Sequence, residues 1–332
     1  MRIGVLGAGA IGGTVAALLD QAGHDVEVTA RGDHLASIRR NGLKLDGAFG
    51  AHTAWLRSGE TLDLRPELVF LCTKAQDAEN ALRENRRTVD GVTVVVVQNG
   101  LDGVAAAARM LKDSECLGAL ALYAASYLRP GEVTVTAAGP TYLGRPGLPA
   151  DEAVRSAAAV LGAVMPVEVT DEFLGVQWTK LLVNQVNTLP AITGLSVQQT
   201  IADAGLRRVL ARSLREAART GLDAGVHFGE IQGLSHGRIR MLASSPLALV
   251  ESVPRAMAKR MGEVPNPGST LQSIRRGQPS EIDHLAGAVV RTAQRNGRDA
   301  PVNAALVELV HEVERAGSFL APATVVERLH SV

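Results

Sequence analysis

The stretch "RIGVLGAGAIGGTVAALLDQAGHDVEVTARG", residues 2–32, decides the fold. It opens with a β-rich run, turns on Gly7, Gly9 and Gly12 in G-A-G-A-I-G, continues through an apolar helical segment and closes in a second, alternating strand at residues 24–30. Strand, glycine turn, helix and strand in that order make the triplet a dinucleotide-binding fingerprint rather than a flexible turn. Gly7 permits the tight turn, Gly9 lets a pyrophosphate approach the backbone, and Gly12 lets the helix pack on the strand. Ala10 and Ile11 complete the expected cofactor-contacting turn. The helix N-terminus behind it adds unpaired N–H groups and partial positive charge.

The end of the second strand separates the two nicotinamide cofactors. NAD-binding versions place an acid there, about 20 residues beyond the glycines, to hold the ribose 2′-hydroxyl. Here the place is taken by Ala30, Arg31 and Gly32, and the Arg31 guanidinium is a planar donor fork suited to a 2′-phosphate. NADP is the expected cofactor. Glu27, inside the strand, and Asp33, beyond the turn, are the acids that would admit NAD if either swung in.

Strand and helix keep alternating. "ELVFLCTK" (67–74) and "GVTVVVVQNG" (91–100) are continuous apolar runs of the kind found in parallel strands covered on both faces. Ligands sit at the carboxyl ends of such strands, so Lys74 and Asn99 are ligand-facing by position. Lys74 either reaches the cofactor phosphates or is a solvated loop lysine, and position alone does not choose; Asn99 could orient the nicotinamide or the substrate. The later runs "CLGALALYAASYL", "EVTVTAAG", "TYLGRPG" and "PVEVT" are read as shorter strands finishing this sheet, with a helix near 151–163.

After Thr170 helical periods take over, so residues 1–170 are expected to form a Rossmann-type parallel-sheet nucleotide domain and residues 171–332 an all-α domain. A chain of 332 residues suits two domains. Its 34 basic residues balance 34 acidic ones with no segregated basic run, which removes the electrostatic case for a nucleic-acid or membrane partner. A small-molecule substrate is the expected partner; the oligomeric state is not set by sequence, and a dimer is compatible with it. Cys72 and Cys116 cannot build a disulfide framework, Cys72 lies in an apolar run read as a buried strand, and the reducing cytoplasm is the expected compartment. The glycines of the N-terminus fall where a turn needs them and no cleavage site follows an h-region, so the segment is read as folded structure rather than a signal peptide. No run reaches bilayer length.

Only five of the 34 basic residues are lysines, leaving 29 arginines, so each lysine prompts the question of why it is not arginine. Lys180 stands in "QWTKLLVNQVN", residues 177–187, inside a helix expected from Asp171 to about Asn187. At about 100° per residue, Lys180 and Asn184 lie about 40° apart and Asn187 about 20° to the other side, forming one polar stripe. Lysine and asparagine on one helix face usually make its wet side. Here the flanks are so apolar that the helix is expected to be buried nearly all round, and buried polar groups need partners or a task. The stripe is therefore read as functional.

Further on, Ser280 reads as an N-cap with Asp283 three residues later, a capping-box pattern ended by Gly297, which puts Glu281 in a first helical turn. On that segment alone Glu281 merely complements the helix dipole. Ser269, in the preceding turn, carries no reading by itself. Glu281-x-x-His284 has the spacing of carboxylate-bridged metal sites, but it recurs at Glu308/His311 and Glu327/His330 in a Glu-rich region where no other bridging acids can be located. No metal is expected.

Taken together, G-A-G-A-I-G, "ARGDHL", "CTKAQD", "QNGLDG", "WTKLLVN" and "STLQSIRRGQPSEID" resemble, in order and spacing, the ketopantoate reductases (2-dehydropantoate 2-reductases) along nearly the whole chain. The resemblance implies a Rossmann domain followed by an α-helical domain, with NADPH and substrate between them. It implies that Lys180 is the general acid, that Glu281 grips the substrate or product hydroxyl, that Asn184 and Ser269 bind substrate, that Asn99 lies beside the nicotinamide, and that Arg31 and Lys74 contact the 2′-phosphate. It raises Lys74, Ser269 and Glu281 above what the residues alone support.

Two departures bear on the substrate. Many relatives carry a second asparagine eight residues after the lysine, followed by proline; here that place is Thr188, with Asn187 one residue early and Pro190 beyond. Asn187 and Thr188 are both carried as substrate-binding candidates. The region 227–266 is also longer than the minimal pattern. Three functions remain: ketopantoate reduction with NADPH, a paralogue reducing another keto acid or acting on a β-hydroxy acid, and an NADP(H)-binding sensor without turnover.

Overall fold

In the computed structural model, residues 1–330 are described; Ser331 and Val332, with which the expected helical range ends, lie outside the described residues. The chain divides into two compact units, Met1–Leu174 and Gly175–Val332. The division falls inside the first long helix of the second half rather than at Thr170.

The first unit holds twelve strands and five helices: β1 Arg2–Leu6, α1 Ala10–Gln21, β2 Asp25–Thr29, α2 Gly32–Asn41, β3 Leu43–Gly47, β4 His52–Ala54, β5 Arg57–Gly59, β6 Leu68–Leu71, α3 Ala75–Val89, β7 Thr93–Val97, α4 Gly103–Met110, β8 Cys116–Ala121, β9 Ala124–Arg129, β10 Glu132–Ala137, β11 Thr141–Gly144, α5 Glu152–Gly162 and β12 Val167–Val169. Eight strands make one sheet in the order β12-β11-β8-β7-β6-β1-β2-β5. From β8 to β5 every pairing is parallel, and the order reverses at β1, where Rossmann sheets bind their ligand. On the far side β11 runs antiparallel to β8 and the edge strand β12 parallel to β11. Four-residue β6 and six-residue β8 are buried throughout, as strands covered on both faces must be.

One expectation fails. β9 and β10 do not finish the large sheet; with β3 and β4 they form a second sheet, order β4-β3-β10-β9. The reason is in the burial pattern: β10 alternates, with Val133 and Val135 inward and Thr134 and Thr136 outward, so it needs one covered face only. That face rests on α1, which packs against β1 and β2 on one side and β3, β4, β9 and β10 on the other. Hence eight consecutive residues of α1, Gly12 to Leu19, are buried. A helix apolar all round is one enclosed from both sides.

The second unit is helical: α6 Phe173–Asn184, a 3₁₀ turn Gln185–Asn187, α7 Thr188–Thr193, α8 Val197–Ala202, α9 Ala204–Asp223, α10 His236–Ser244, α11 Leu247–Val250, α12 Ser252–Met261, α13 Gly268–Arg275, a 3₁₀ turn Ile282–His284, α14 Ala286–Arg295, α15 Pro301–Ala316 and α16 Pro322–Arg328. The twenty-residue α9 is the hub, touching α8, α10, α14, α15 and α16. α6 is pinned where it enters this unit. A Cβ on Gly175 would stand 2.0 Å from the His227 carbonyl oxygen, and the Thr179 hydroxyl donates to the Gly229 carbonyl at 2.6 Å. Trp178 meets Phe228 edge-on at 6.2 Å. Among the described residues no helix is long and apolar enough to cross a membrane.

Candidate active site

The glycine turn is built as the spacing requires. Gly7 has φ +92°, its N–H donates to Thr29 Oγ1 at 2.8 Å, and the Ala8 N–H donates to the Thr29 carbonyl at 2.9 Å, so the end of β2 holds the turn. A Cβ on Gly12 would lie 2.0 Å from the Gly7 carbonyl oxygen and 2.8 Å from Cys72 Cβ, which is the close helix-to-strand approach that only glycine allows. A Cβ on Gly9 would meet nothing within 4 Å: the space above the helix N-terminus is open. At the neighbouring strand ends, Gln98 Nε2 donates to the Thr73 carbonyl at 2.9 Å, while Thr73 Oγ1 and Gln98 Oε1 are buried without a protein partner. An open glycine cradle beside orphaned buried oxygens fits a dinucleotide with polar groups to offer. Burial pushes the thiols of Cys72 and Cys116 up, so both stay protonated.

Arg31 is exposed immediately before α2, and its guanidinium pairs with Glu84 of α3 at 2.5 Å. An exposed pair of this kind is worth at most about 1 kcal/mol, so an incoming phosphate can take the guanidinium over. Glu27 is committed elsewhere: it is buried, and its carboxylate accepts the backbone N–H of Asp63 at 2.7 Å and of Leu64 at 3.2 Å. Swinging out to a ribose would orphan both donors, which removes one of the two acids that would admit NAD. Asp33 lies in the first turn of α2, where its charge complements the helix dipole. Lys74 is the residue preceding α3 and Asn99 follows β7; both are half-buried at carboxyl ends of parallel strands.

The sequence reading gave His34 no role, although it lies in the same turn as Arg31. Its Nδ1 accepts the Gly131 N–H at 2.9 Å, which leaves Nε2 as the protonated nitrogen, donating to the Ala8 carbonyl at 2.7 Å. The ring thus ties the glycine turn to the β9–β10 hairpin, and burial holds its pKa below the ordinary histidine value. The neutral form makes these bonds; as pH falls below that lowered pKa, protonation takes away the Gly131 acceptor. Residue type and position were visible, but the partner at Gly131 is 97 residues away.

In the helical unit, Lys180, Val183, Asn184 and Asn187 are the only residues from Gly175 to Thr193 that keep partial exposure. The polar stripe is the single open face of an otherwise enclosed segment. Burial lowers the Lys180 pKa to about 8, and the Glu281 carboxylate acts in the opposite direction, raising it. The fold therefore brings together an amine and an acid 101 positions apart in sequence.

Local geometry departs from expectation at four positions. α6 ends at Asn184, and Asn187 lies on the 3₁₀ turn, so the helical-wheel angle does not apply to it. Its amide nitrogen instead comes within 3.5 Å of Ser269 Oγ, with its oxygen packed against Gly268. Thr188 is buried, 2% exposed, at the start of α7. Ser269 is the second residue of helix α13 rather than part of a loop. Glu281 precedes a 3₁₀ turn, not an α-helix: the break at Leu285, ψ −97°, delays α14 to Ala286, and the Ser280 hydroxyl accepts from Ile282 N at 3.4 Å instead of forming a capping box with Asp283.

The comparisons with known proteins cover both units. Residues 3–147 match the family model described as ketopantoate reductase PanE/ApbA, and residues 172–314 match its C-terminal counterpart. The 2-dehydropantoate 2-reductase of Archaeoglobus fulgidus is 28% identical over 315 residues, spanning 94% of this chain and 98% of its own. That of Pyrococcus horikoshii is 26% identical over 319 residues, spanning 96% and 99%. Among solved structures, the PanE/ApbA family ketopantoate reductase from Ralstonia eutropha JMP134 has a TM-score of 0.81 at 27% identity, covering 95% of this chain and 99% of its own. D-mandelate dehydrogenase with NADH and anilino(oxo)acetate has a TM-score of 0.78 at 20% identity over 95% and 99%, a likeness of fold.

Proposed function

The chain belongs to the ketopantoate reductase family and is an oxidoreductase acting on a keto acid, and we propose that it uses NADPH to reduce a 2-keto acid to the 2-hydroxy acid, with 2-dehydropantoate, converted to pantoate for pantothenate synthesis, as its substrate. The observation that carries this reading is Lys180: a half-buried lysine on the polar, partly open face of α6, lowered toward neutrality by burial and accompanied by Glu281. The cofactor, when bound, supplies the hydride that goes to the keto carbon. Lys180 holds a proton at the carbonyl oxygen, where negative charge develops, and gives it up as that oxygen becomes a hydroxyl. Arginine could stabilise the charge but not surrender the proton, which is why a chain so rich in arginine keeps lysine here. Glu281 grips the resulting hydroxyl and favours the protonated amine beforehand. Asn184 and Ser269 bind the rest of the substrate, with Asn187 held against Ser269. Lys74 and Arg31 take the 2′-phosphate, and Asn99 the nicotinamide side.

The preference for NADPH rests on Arg31 being exposed and Glu27 being engaged. Arg31→Ala is expected to weaken NADPH binding by about 10- to 100-fold, a charge-assisted contact being worth about 1.5–3 kcal/mol, while NADH affinity stays unchanged. Fluorescence titration with the two cofactors measures the ratio, and equal losses for both would remove Arg31 from the 2′-phosphate.

The substrate is tested by following NADPH absorbance with ketopantoate, pyruvate, 2-ketoisovalerate and oxaloacetate. Fast oxidation with ketopantoate alone is the expected result. The second reading, a paralogue for another keto acid, is favoured by the burial of Thr188 where many relatives carry an asparagine; tight NADPH binding with turnover of a different acid would establish it. A protein that binds NADPH and reduces none of them is the sensor.

A further inference from the structure

His311, whose spacing from Glu308 was set aside in the sequence as a chance match to a metal site, has other partners. Glu314 on α15 accepts the Ser280 N–H through Oε1 at 2.8 Å. Its other oxygen lies 2.9 Å from His311 Nδ1, and His311 Nε2 lies 3.1 Å from Asp283 Oδ1. The two carboxylates meet opposite nitrogens of the ring, so they do not converge on one point as metal ligands must, and among the described residues no group of three or more such side chains could hold an ion. What they do instead is hold a turn. Ser280 immediately precedes Glu281 and Asp283 follows it by two residues, so the side-chain series Glu314, His311, Asp283 anchors the backbone on both sides of Glu281. Arg291 of α14 adds a 2.7 Å bond to the Asp283 carbonyl.

Each ring nitrogen faces an acceptor. A neutral imidazole can donate only once, so only the imidazolium satisfies both carboxylates. The charges agree: burial works against protonation of His311, but the bonds to Glu314 and Asp283 outweigh it and raise the pKa. Glu314, although burial raises it, is held below the usual carboxylate range by the Ser280 N–H and by His311.

We propose that His311, donating from both ring nitrogens, is the positioning residue for Glu281, tying α15 to both sides of the Ser280–Asp283 segment and so fixing the Glu281 carboxylate relative to the Lys180 amine. The catalytic consequence rests on the proposed function; the structural claim does not. Lys180 is its reporter, because the Glu281 charge raises the lysine's pKa and its displacement must lower it.

Reductive ¹³C-methylation labels the five lysines, and Lys180→Arg identifies the Lys180 resonance by its loss. In His311→Phe and His311→Gln, Lys180 is expected to titrate at lower pH than in the unsubstituted protein, whereas Asp283→Asn, whose amide oxygen still accepts from Nε2, retains most of the original titration. With substrate, kcat/KM falls by about 10- to 100-fold in the His311 variants, the scale on which an ångström of misplacement acts, while NADPH affinity is unchanged. Melting curves show which variants are folded; if His311→Phe is not, His311→Gln, which keeps one donor, carries the same measurement. A Lys180 titration that does not move in folded His311 variants overturns the proposal. A protein that reduces no keto acid overturns the function and leaves the lysine titration as the test of the clamp.

Discussion

Lys180→Arg loses turnover by about 100- to 10,000-fold, the range contributed by a positioned proton donor, and keeps its affinity for NADPH. The charge and most of the length are preserved, so a change in binding alone cannot account for the loss; what disappears is the ability to release a proton near neutral pH. The same residue sets the pH dependence. Its pKa lies at about 8, so the acid form is present below that value and is lost as pH rises through it. Reduction is therefore expected to hold its rate on the acid side of about 8 and to decline above it, with the limb absent in the arginine variant. Steady-state rates across pH, with melting temperatures to confirm folding, decide the point; near-normal turnover in Lys180→Arg would sink the assignment.

Gly12→Ala is the second large effect and acts on the other unit. The added methyl would stand 2.0 Å from the Gly7 carbonyl oxygen and 2.8 Å from Cys72 Cβ, and both neighbours are partly buried. Overpacking of this kind costs about 1–3 kcal/mol of stability, and relief at Gly7 shifts the turn proposed to receive the cofactor phosphates. NADPH affinity should drop by at least about tenfold, the equivalent of about 1.4 kcal/mol, together with a lowered melting temperature. Gly9→Ala is the informative contrast: its methyl meets no protein atom, so stability is kept and cofactor affinity alone is reduced. If Gly9→Ala binds NADPH normally, the open space above the turn is not where the pyrophosphate lies.

The glycine turn was legible because its requirements are local: φ +92° at Gly7 and close approach at Gly12 are properties of a dozen consecutive residues. So was the open face of α6, since Lys180 and Asn184 are one helical turn apart. The second sheet was not, because β3 is completed by β10, Lys44 facing Glu132, and no periodicity within either strand names its neighbour. Asn187 was misplaced on the wheel for the opposite reason: the α-helical geometry ends at Asn184, and one changed hydrogen-bond pattern rotates everything after it. Glu281 was recognised only by resemblance, since the device that holds it, His311 with Glu314, lies about 30 positions downstream in another helix.

The exposure pattern of α6 also bears on how such proteins diverge. From Gly175 to Thr193 the enclosed residues are bound by core packing, where truncating a large side chain costs about 2–5 kcal/mol. Val183, Asn184 and Asn187 keep partial exposure, so exchanges there forfeit less packing than at their enclosed neighbours. Lys180, the proposed proton donor, is thus carried on a scaffold that tolerates little drift, beside positions that tolerate more. A lineage can sample new side chains around a retained acid without first acquiring a stabilising mutation, so a change of substrate is accessible in single steps.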